Sequence, residues 1–432
     1  MLRQLVRGGA IALIVQGSGA LLVLGIDMLL GRWLGVVEYG LFALANAWLT
    51  ILAIVAALGF NQALLKFVPI YESQNAWPEL KGVLRFAHVY SGLAAVAIFM
   101  AGMMLLWALE PCCISSGVLP AFAWALGALP FMAWSSLRQA SLRGLGAVGR
   151  AFLPDYVLRP LLLLLGLLLL HKLQFALDAA GVLALNFLAV FIAFMIGSWW
   201  LKGLLPHELK GVPIAPPSDD WLAMAMPMLL IISFNLISNR VDILMLGGFA
   251  SRSDVGVYAA ASRISEIVVF ALAATNAIVA PMIARLYARE DRVALEKLIR
   301  TVAWLILLVT VPVALLVLLF GEKFLSFFGP GFGAGYTILI ILVGGQLINS
   351  LCGPVGYLLG MTGHQRTAMR IVAGSAVLNV ALNALLIPVF GAIGAAVATA
   401  ASLATWNLLM LRAVRLKLGL RPSILSPRYR LT

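Results

Sequence analysis

The sequence predicts an all-α polytopic membrane protein with about twelve transmembrane helices in two six-helix lobes. Three observations lead there. Of 432 residues, 63% are hydrophobic and 11% charged, with a mean hydropathy of +1.04, whereas soluble domains carry about 25% charged residues. Apolar stretches long enough to cross a bilayer, about 20 residues, recur twelve times along the chain. A set of residues also returns at an offset of 216, half the chain length. So few charges cannot coat a soluble globule of this size, which excludes a soluble enzyme and a disordered chain. Cys112, Cys113 and Cys352 make neither a disulfide framework nor a metal site. The vicinal pair reads as two ordinary small apolar residues.

The first span, about 9–30, follows Arg3 and Arg7. Its apolar stretch is too long for a signal peptide, and its end, Gly31-Arg32-Trp33, lacks a small-x-small cleavage site, so it is expected to be retained. Spans two (39–65) and eight (256–283) turn amphipathic at their ends and exceed the lipid thickness, so they tilt or project. Spans at 86–109, 118–138, 151–170 and 177–201 complete the first half. Leu161–Leu170, nearly all leucine, reads as lipid-facing. The segment 202–220, with Pro206, Pro213, Pro216 and Pro217, is the one candidate linker. It separates a 1–201 lobe from a 221–415 lobe, and a basic tail, 416–432, follows. The second lobe holds spans at 221–247, 256–283, 301–320, 334–360, 371–388 and 392–414.

Orientation follows from the basic residues, which concentrate on the cytoplasmic side. With a cytoplasmic N-terminus, 23 of the 30 Lys and Arg residues fall on the inner side, among them Arg138, and four on the outer side. Both ends are therefore expected in the cytoplasm and the protein in the cytoplasmic (inner) membrane. The net charge of +13 is an orientation signal. It is spread over seven inner segments without a nucleic-acid motif, so no nucleic acid partner is expected. The outer loops are short, the longest near 321–333, and no extramembrane domain is expected on either side.

At the 216-residue offset, Leu30-Gly31 falls on Leu246-Gly247. Glu38-Tyr39-Gly40-Leu41-Phe42-Ala43 falls on Asp254-Val255-Gly256-Val257-Tyr258-Ala259, and Leu142, Gly144 and Arg150 fall on Leu358, Gly360 and Arg366. An even number of spans per half makes the repeat parallel, related by a pseudo-two-fold along the membrane normal. Two such lobes suit alternating access, in which rocking exposes a cargo to each side in turn.

These motifs, with Pro227 opening span seven and Asn239-Arg240-Val241-Asp242 ending it, resemble the polysaccharide (O-antigen type) flippases of the multidrug/oligosaccharidyl-lipid/polysaccharide exporter superfamily. The resemblance covers about residues 1–415. It implies a carrier that moves a lipid-diphosphate-linked oligosaccharide to the outer leaflet through a cavity between two six-helix lobes. It further implies membrane lipids and polysaccharide polymerase or export proteins as partners. Some relatives have fourteen spans; twelve points away from the lipid II flippase branch.

A charged side chain at mid-membrane costs about 2.5–3.5 kcal/mol, so intramembrane charges mark protein-lined or wet sites. Arg159, Arg240 and Arg263 are the substrate-binding candidates, because guanidinium is the bidentate partner of phosphate. Each also has an acid close by on its own helix: Asp155 four residues before Arg159, Asp242 beside Arg240, and Glu266 three after Arg263. A neutralised structural pair is thus the competing reading. Asp27, Asp242 and Glu266 are candidates for Na⁺ or H⁺ coupling. Asn residues in the spans, such as Asn186, Asn235, Asn239, Asn276, Asn379 and Asn383, are expected mostly to join helices. His88, His171, His207 and His364 lie near loops and read as solvated. No catalytic residue, metal site or cofactor is expected. A membrane glycosyltransferase or polymerase would need catalytic groups on larger loops. The nearer alternative is a multidrug/cation antiporter of the same superfamily, whose cationic substrates favour acids over Arg.

Overall fold

The computed structural model describes residues 2–113, 117–209 and 211–420. The side chains of Cys112, Cys113, Pro227, Asn235, Asn239 and Asn276 lie outside those described, as does the tail from residue 421. Among the described residues the chain is helical with no strand, as hydrocarbon demands. Without water to satisfy backbone groups, a spanning segment must bond within itself.

The helices are α1 (Leu2–Ala56), α2 (Phe60–Ser73), α3 (Trp77–Cys113), α4 (Val118–Gly144), α5 (Val148–Leu153), α6 (Arg159–Lys172) and α7 (Ala179–Leu204). After the linker come α8 (Asp219–Phe249), α9 (Arg252–Ala288), α10 (Arg292–Ser326), α11 (Tyr336–Cys352), α12 (Val355–Met361) and α13 (Gln365–Leu418). Among the described residues eight helical stretches are long and apolar enough to cross a membrane. Two of them, Ile14–Ala56 and Gln365–Leu418, are 43 and 54 residues long, near twice what one crossing needs. Each is interrupted by a glycine off the helical conformation, Gly35 (φ 74°) and Gly391 (φ 55°). Each therefore holds two spans. With α8 and α9, of 31 and 37 residues, the crossings among the described residues number twelve. The protein is an all-α polytopic membrane protein.

The repeat reaches several helix boundaries. Within two residues of the 216-residue offset, α3 and α10 begin at Trp77 and Arg292, α5 and α13 at Val148 and Gln365, and α7 and α13 end at Leu204 and Leu418. The chain forms two compact units: Met1–Leu34 with Leu41–Leu236, and Gly35–Gly40 with Ile237–Thr432.

In the first unit α4 and α7 are joined by aromatic rings around Phe131, whose centroid lies 5.0 Å from that of Phe191 and 5.7 Å from that of Phe194. A second core gathers Phe60, Leu64, Val68, Val83, Phe86, Leu137 and Trp221. The indole N–H of Trp221 donates to the Tyr71 hydroxyl at 2.9 Å. The Pro-rich linker is strapped to the start of α3: Lys81 Nζ donates to the Val212 carbonyl at 2.8 Å and the Ala215 amide to the Pro78 carbonyl at 3.1 Å.

In the second unit the acid of the repeated motif has a local role. Ser251 and Asp254 form a reciprocal cap at the start of α9, satisfying amides that the first turn leaves open. The glycine of the motif allows close approach. A Cβ on Gly40 would stand 2.0 Å from the Arg252 carbonyl oxygen, and one on Gly256 would stand 2.2 Å from that of Val36. Tyr39, in the same short segment, packs edge-on against Phe328 and Phe332.

Three expected spans differ in detail. Span two does not run unbroken to residue 65: the chain turns at Leu58 (φ 52°) and Gly59 (φ 73°) and restarts as α2, whose buried face is Phe60, Ala63, Leu64 and Val68. Span ten breaks at Gly353 (φ 71°) and Pro354 into α11 and α12. Pro354 has no N–H to continue the ladder. Span four runs on to Gly144 instead of stopping at 138, so Arg138 is not a cytoplasmic loop charge. It lies inside α4 and is fully buried.

Gly59 joins positive φ to close packing, since a Cβ there would sit 2.1 Å from the Ala225 carbonyl oxygen. The backbone strain alone costs an L-residue about 1–2 kcal/mol. Gly59→Ala is expected to lower the apparent melting temperature of the detergent-purified protein, measured by fluorescence-detected size exclusion after heating. Gly25→Ala, where nothing lies within 4 Å, is expected to leave it unchanged or raise it.

Candidate functional site

Two polar clusters stand inside the membrane-spanning helices, one in each unit.

The first is built on α4, α7 and the joint between α5 and α6. That joint is a single π-helical turn, Pro154–Leu158, a wide turn that inserts one residue and recurs at functional sites. It carries Asp155. The sequence pairs Asp155 with Arg159, but the structure does not. Asp155 forms an ion pair with Arg138 and accepts from Gln139 Nε2 at 2.8 Å, both from α4. Arg138 also donates to the Ala193 carbonyl of α7 at 3.0 Å. Gly197 makes the room, because a Cβ there would stand 1.9 Å from an Arg138 terminal nitrogen. Arg159 turns instead to a neutral partner. Its Nε and Nη2 donate to Asn186 Oδ1 of α7 at 3.3 and 3.0 Å. Asn186 is 2% exposed, and its Nδ2 donates to no atom among the described residues. Arg138, Asp155 and Arg159 together carry one net positive charge, and Arg159 holds it.

The second cluster surrounds Asp242 of α8, which is buried. The hydroxyl of Tyr258 (α9) donates to Asp242 Oδ2, Thr399 Oγ1 (α13) donates to the same oxygen at 3.3 Å, and the Ile243 amide donates to Oδ1 at 2.8 Å. Three helices thus converge on one carboxylate through oxygen atoms. Such a set can exchange a proton or present a small oxygen cage to a hard cation. Arg240, two residues earlier on α8, is partly exposed.

The other candidates are separate. Arg263 and Glu266 form the expected pair on α9 at 3.3 Å, with side chains 24% and 46% exposed, a geometry that screens their attraction. Asp27 is buried on α1 in the first unit. Among the described residues no three His, Cys, Asp or Glu side chains come together as a metal site. His88 bonds the Leu84 carbonyl at 2.7 Å, and His171 stacks on Trp33 at 4.2 Å, so neither is merely solvated.

Sequence reasoning missed Arg138, Gln139, Tyr258 and Thr399. For Tyr258 a signal existed: its repeat counterpart is Phe42, so one half adds a hydroxyl that packing alone does not need. Thr399 gave none.

A family model described as "Polysaccharide biosynthesis protein" matches residues 5–287, and one described as "MatE" matches residues 224–385. A probable low-salt glycan biosynthesis flippase, Agl15, from Haloferax volcanii is 30% identical over 165 residues, 38% of this chain and 35% of that protein. The chain thus spans about a third of the length of the curated relatives it matches. Among solved structures, the inward-facing conformation of a multidrug resistance MATE family transporter of the MOP superfamily aligns with a TM-score of 0.75 at 15% identity. That alignment covers 95% of this chain and 98% of that one. The inward closed conformation of the lipid II flippase MurJ aligns with a TM-score of 0.72 at 13% identity, over 93% and 87%. At such identities the likeness is one of fold.

Tyr258→Phe leaves the buried Asp242 short of a donor, a change that costs about 1–3 kcal/mol. The apparent melting temperature is expected to fall. A double-mutant cycle with Asp242→Asn is expected to show coupling of about 0.5 kcal/mol or more, and additive losses would mean that the two side chains do not interact.

Proposed function

The chain belongs to the polysaccharide biosynthesis protein family, and we propose that it is an alternating-access flippase moving a lipid-diphosphate-linked oligosaccharide across the cytoplasmic membrane. The observation that carries this reading is the family match over residues 5–287 on a twelve-span, two-unit fold. The similarity of part of the chain to a glycan biosynthesis flippase supports it. Arg159, Arg240 and Arg263 are the groups that would meet the diphosphate, each supplying a charge and a planar fork of donors. Asp242, held by two hydroxyls, is the leading group for coupling to Na⁺ or H⁺, with Asp27 and Glu266 behind it. On this reading the protein is a carrier and not an enzyme. Its ends lie in the cytoplasm, as the distribution of basic residues supports, and a polysaccharide polymerase or export protein receives the product.

A second reading, a multidrug/cation antiporter, is favoured by the MatE match over 224–385. The two readings part on the charge of the cargo. The cationic substrates of an antiporter would be repelled by Arg159, whereas a diphosphate needs it.

Expression in a strain lacking its polysaccharide flippase is expected to restore surface glycan, scored with a lectin, and to leave a panel of cationic drugs unaffected. Drug resistance without glycan rescue would replace the first reading by the second. Arg240→Glu is expected to abolish rescue while the protein still inserts; full rescue would remove Arg240 from the cargo's path. In proteoliposomes Asp242→Asn is expected to make flipping insensitive to Na⁺ and pH gradients. An unchanged gradient dependence would assign coupling elsewhere.

A further inference from the structure

The cluster on α4, α6 and α7 contains more than one guanidinium in search of phosphate. Arg159 and Asn186 lie in the candidate membrane spans Val148–Lys172 and Ala179–Leu204. Asn186 must present Oδ1 to Arg159, since the reverse orientation would set an N–H₂ group against a guanidinium that can only donate. That fixes Nδ2 as a buried donor, and it bonds nothing among the described residues. A buried donor without an acceptor is costly, and here it sits beside Arg159, whose hydrogen bonds go to Asn186 and not to a carboxylate. Both groups can only give hydrogen bonds toward a ligand, so the ligand must be rich in acceptors and negative.

We propose that Arg159 and the Asn186 amide form an anion subsite for one phosphate of the cargo, and that Arg138 is the positioning residue that keeps it cationic. The inference rests on the reading of the cargo as a lipid diphosphate. Asp155 stands four residues before Arg159 on the same helical run, the spacing at which acid and base meet. What diverts it is Arg138, anchored by the Ala193 carbonyl and accommodated by Gly197, with Gln139 as a second donor to the carboxylate. Remove the Arg138 charge and Asp155 is released toward Arg159, four residues on. The positive charge of the subsite would then be spent inside the protein. At the repeat-related positions the second unit has Ser375 for Arg159, Ser402 for Asn186, Pro354 for Arg138 and Ile371 for Asp155. The device is thus confined to the first unit.

The test uses the purified full chain in detergent at fixed ionic strength, with inorganic pyrophosphate as the probe, and in parallel the KM for a lipid-diphosphate-linked oligosaccharide in proteoliposomes. Arg138→Met is expected to weaken pyrophosphate binding and raise KM by about tenfold to a hundredfold, the worth of a hydrogen bond to a charged group. The monodisperse fraction should be enough to measure. Arg138→Met/Asp155→Asn is expected to return both values to near wild type, because Arg159 is again uncompensated. A purely structural Arg138 would lower the folded fraction of the single variant and leave affinity per folded molecule unchanged, which overturns the positioning role. Asn186→Asp places the carboxylate on Arg159 directly and does not disturb Arg138, so it decides the matter should Arg138→Met fail to fold. It is expected to lose affinity by a similar factor, as is Arg159→Gln. Wild-type affinity in either variant would overturn the subsite while leaving the flippase reading intact. A wild-type protein that neither binds pyrophosphate nor flips the lipid would sink both.

Discussion

The ion pair between Arg138 and Asp155 governs the polar interior of the first unit. In a medium where each lone charge is costly, a guanidinium and a carboxylate fix each other's position. The Ala193 carbonyl and Gln139 take up hydrogen-bonding capacity that would otherwise go unmet. Three helical elements are registered at once: α4 supplies the base, the π-turn before α6 the acid, and α7 both a carbonyl and the bare surface of Gly197. The arrangement of Arg159 follows. Its acid is taken, so it bonds the neutral Asn186 and keeps its charge.

The two halves share their helix plan but not their polar chemistry. The positions equivalent to Asp242, Tyr258 and Thr399 in the first half are Ile26, Phe42 and Leu183, all apolar. Where the first half carries Arg159 and Asn186, the second carries Ser375 and Ser402. A duplicated scaffold has thus diverged to hold a net positive cluster in one unit and a buried carboxylate in the other. The break at Gly353–Pro354 belongs to the same divergence. Its counterpart in α4 is the continuous helix that carries Arg138, which a proline there would remove.

The helices and their order were legible in the sequence because the bilayer imposes a length and a composition on every span. The halfway repeat was legible too, since Gly40 and Gly256 sit at close backbone approaches that only glycine permits. Less legible were the interruptions at Leu58–Gly59 and the π-turn at Pro154–Leu158. Gly59, Pro154 and Asp155 mark both places in the sequence, but residue type alone does not say whether the chain turns, kinks or widens into a π-turn there. Ser251 and Asp254 have the spacing of a helix-capping pair, and only the structure shows both hydrogen bonds formed.

Composition and spacing by themselves determined that this is a twelve-span membrane protein with a duplicated plan, and that a few Arg and acidic residues lie within its spans. They paired Asp155 with Arg159 because sequence distance is all a sequence offers. Which charge neutralises which was decided only in three dimensions. Arg138 approaches Asp155 from another helix, Asn186 meets Arg159 across a helix contact, and Thr399 joins Asp242 over 157 residues of chain. Electrostatic energy depends on separation in space and on local burial, and neither is written in the order of residues.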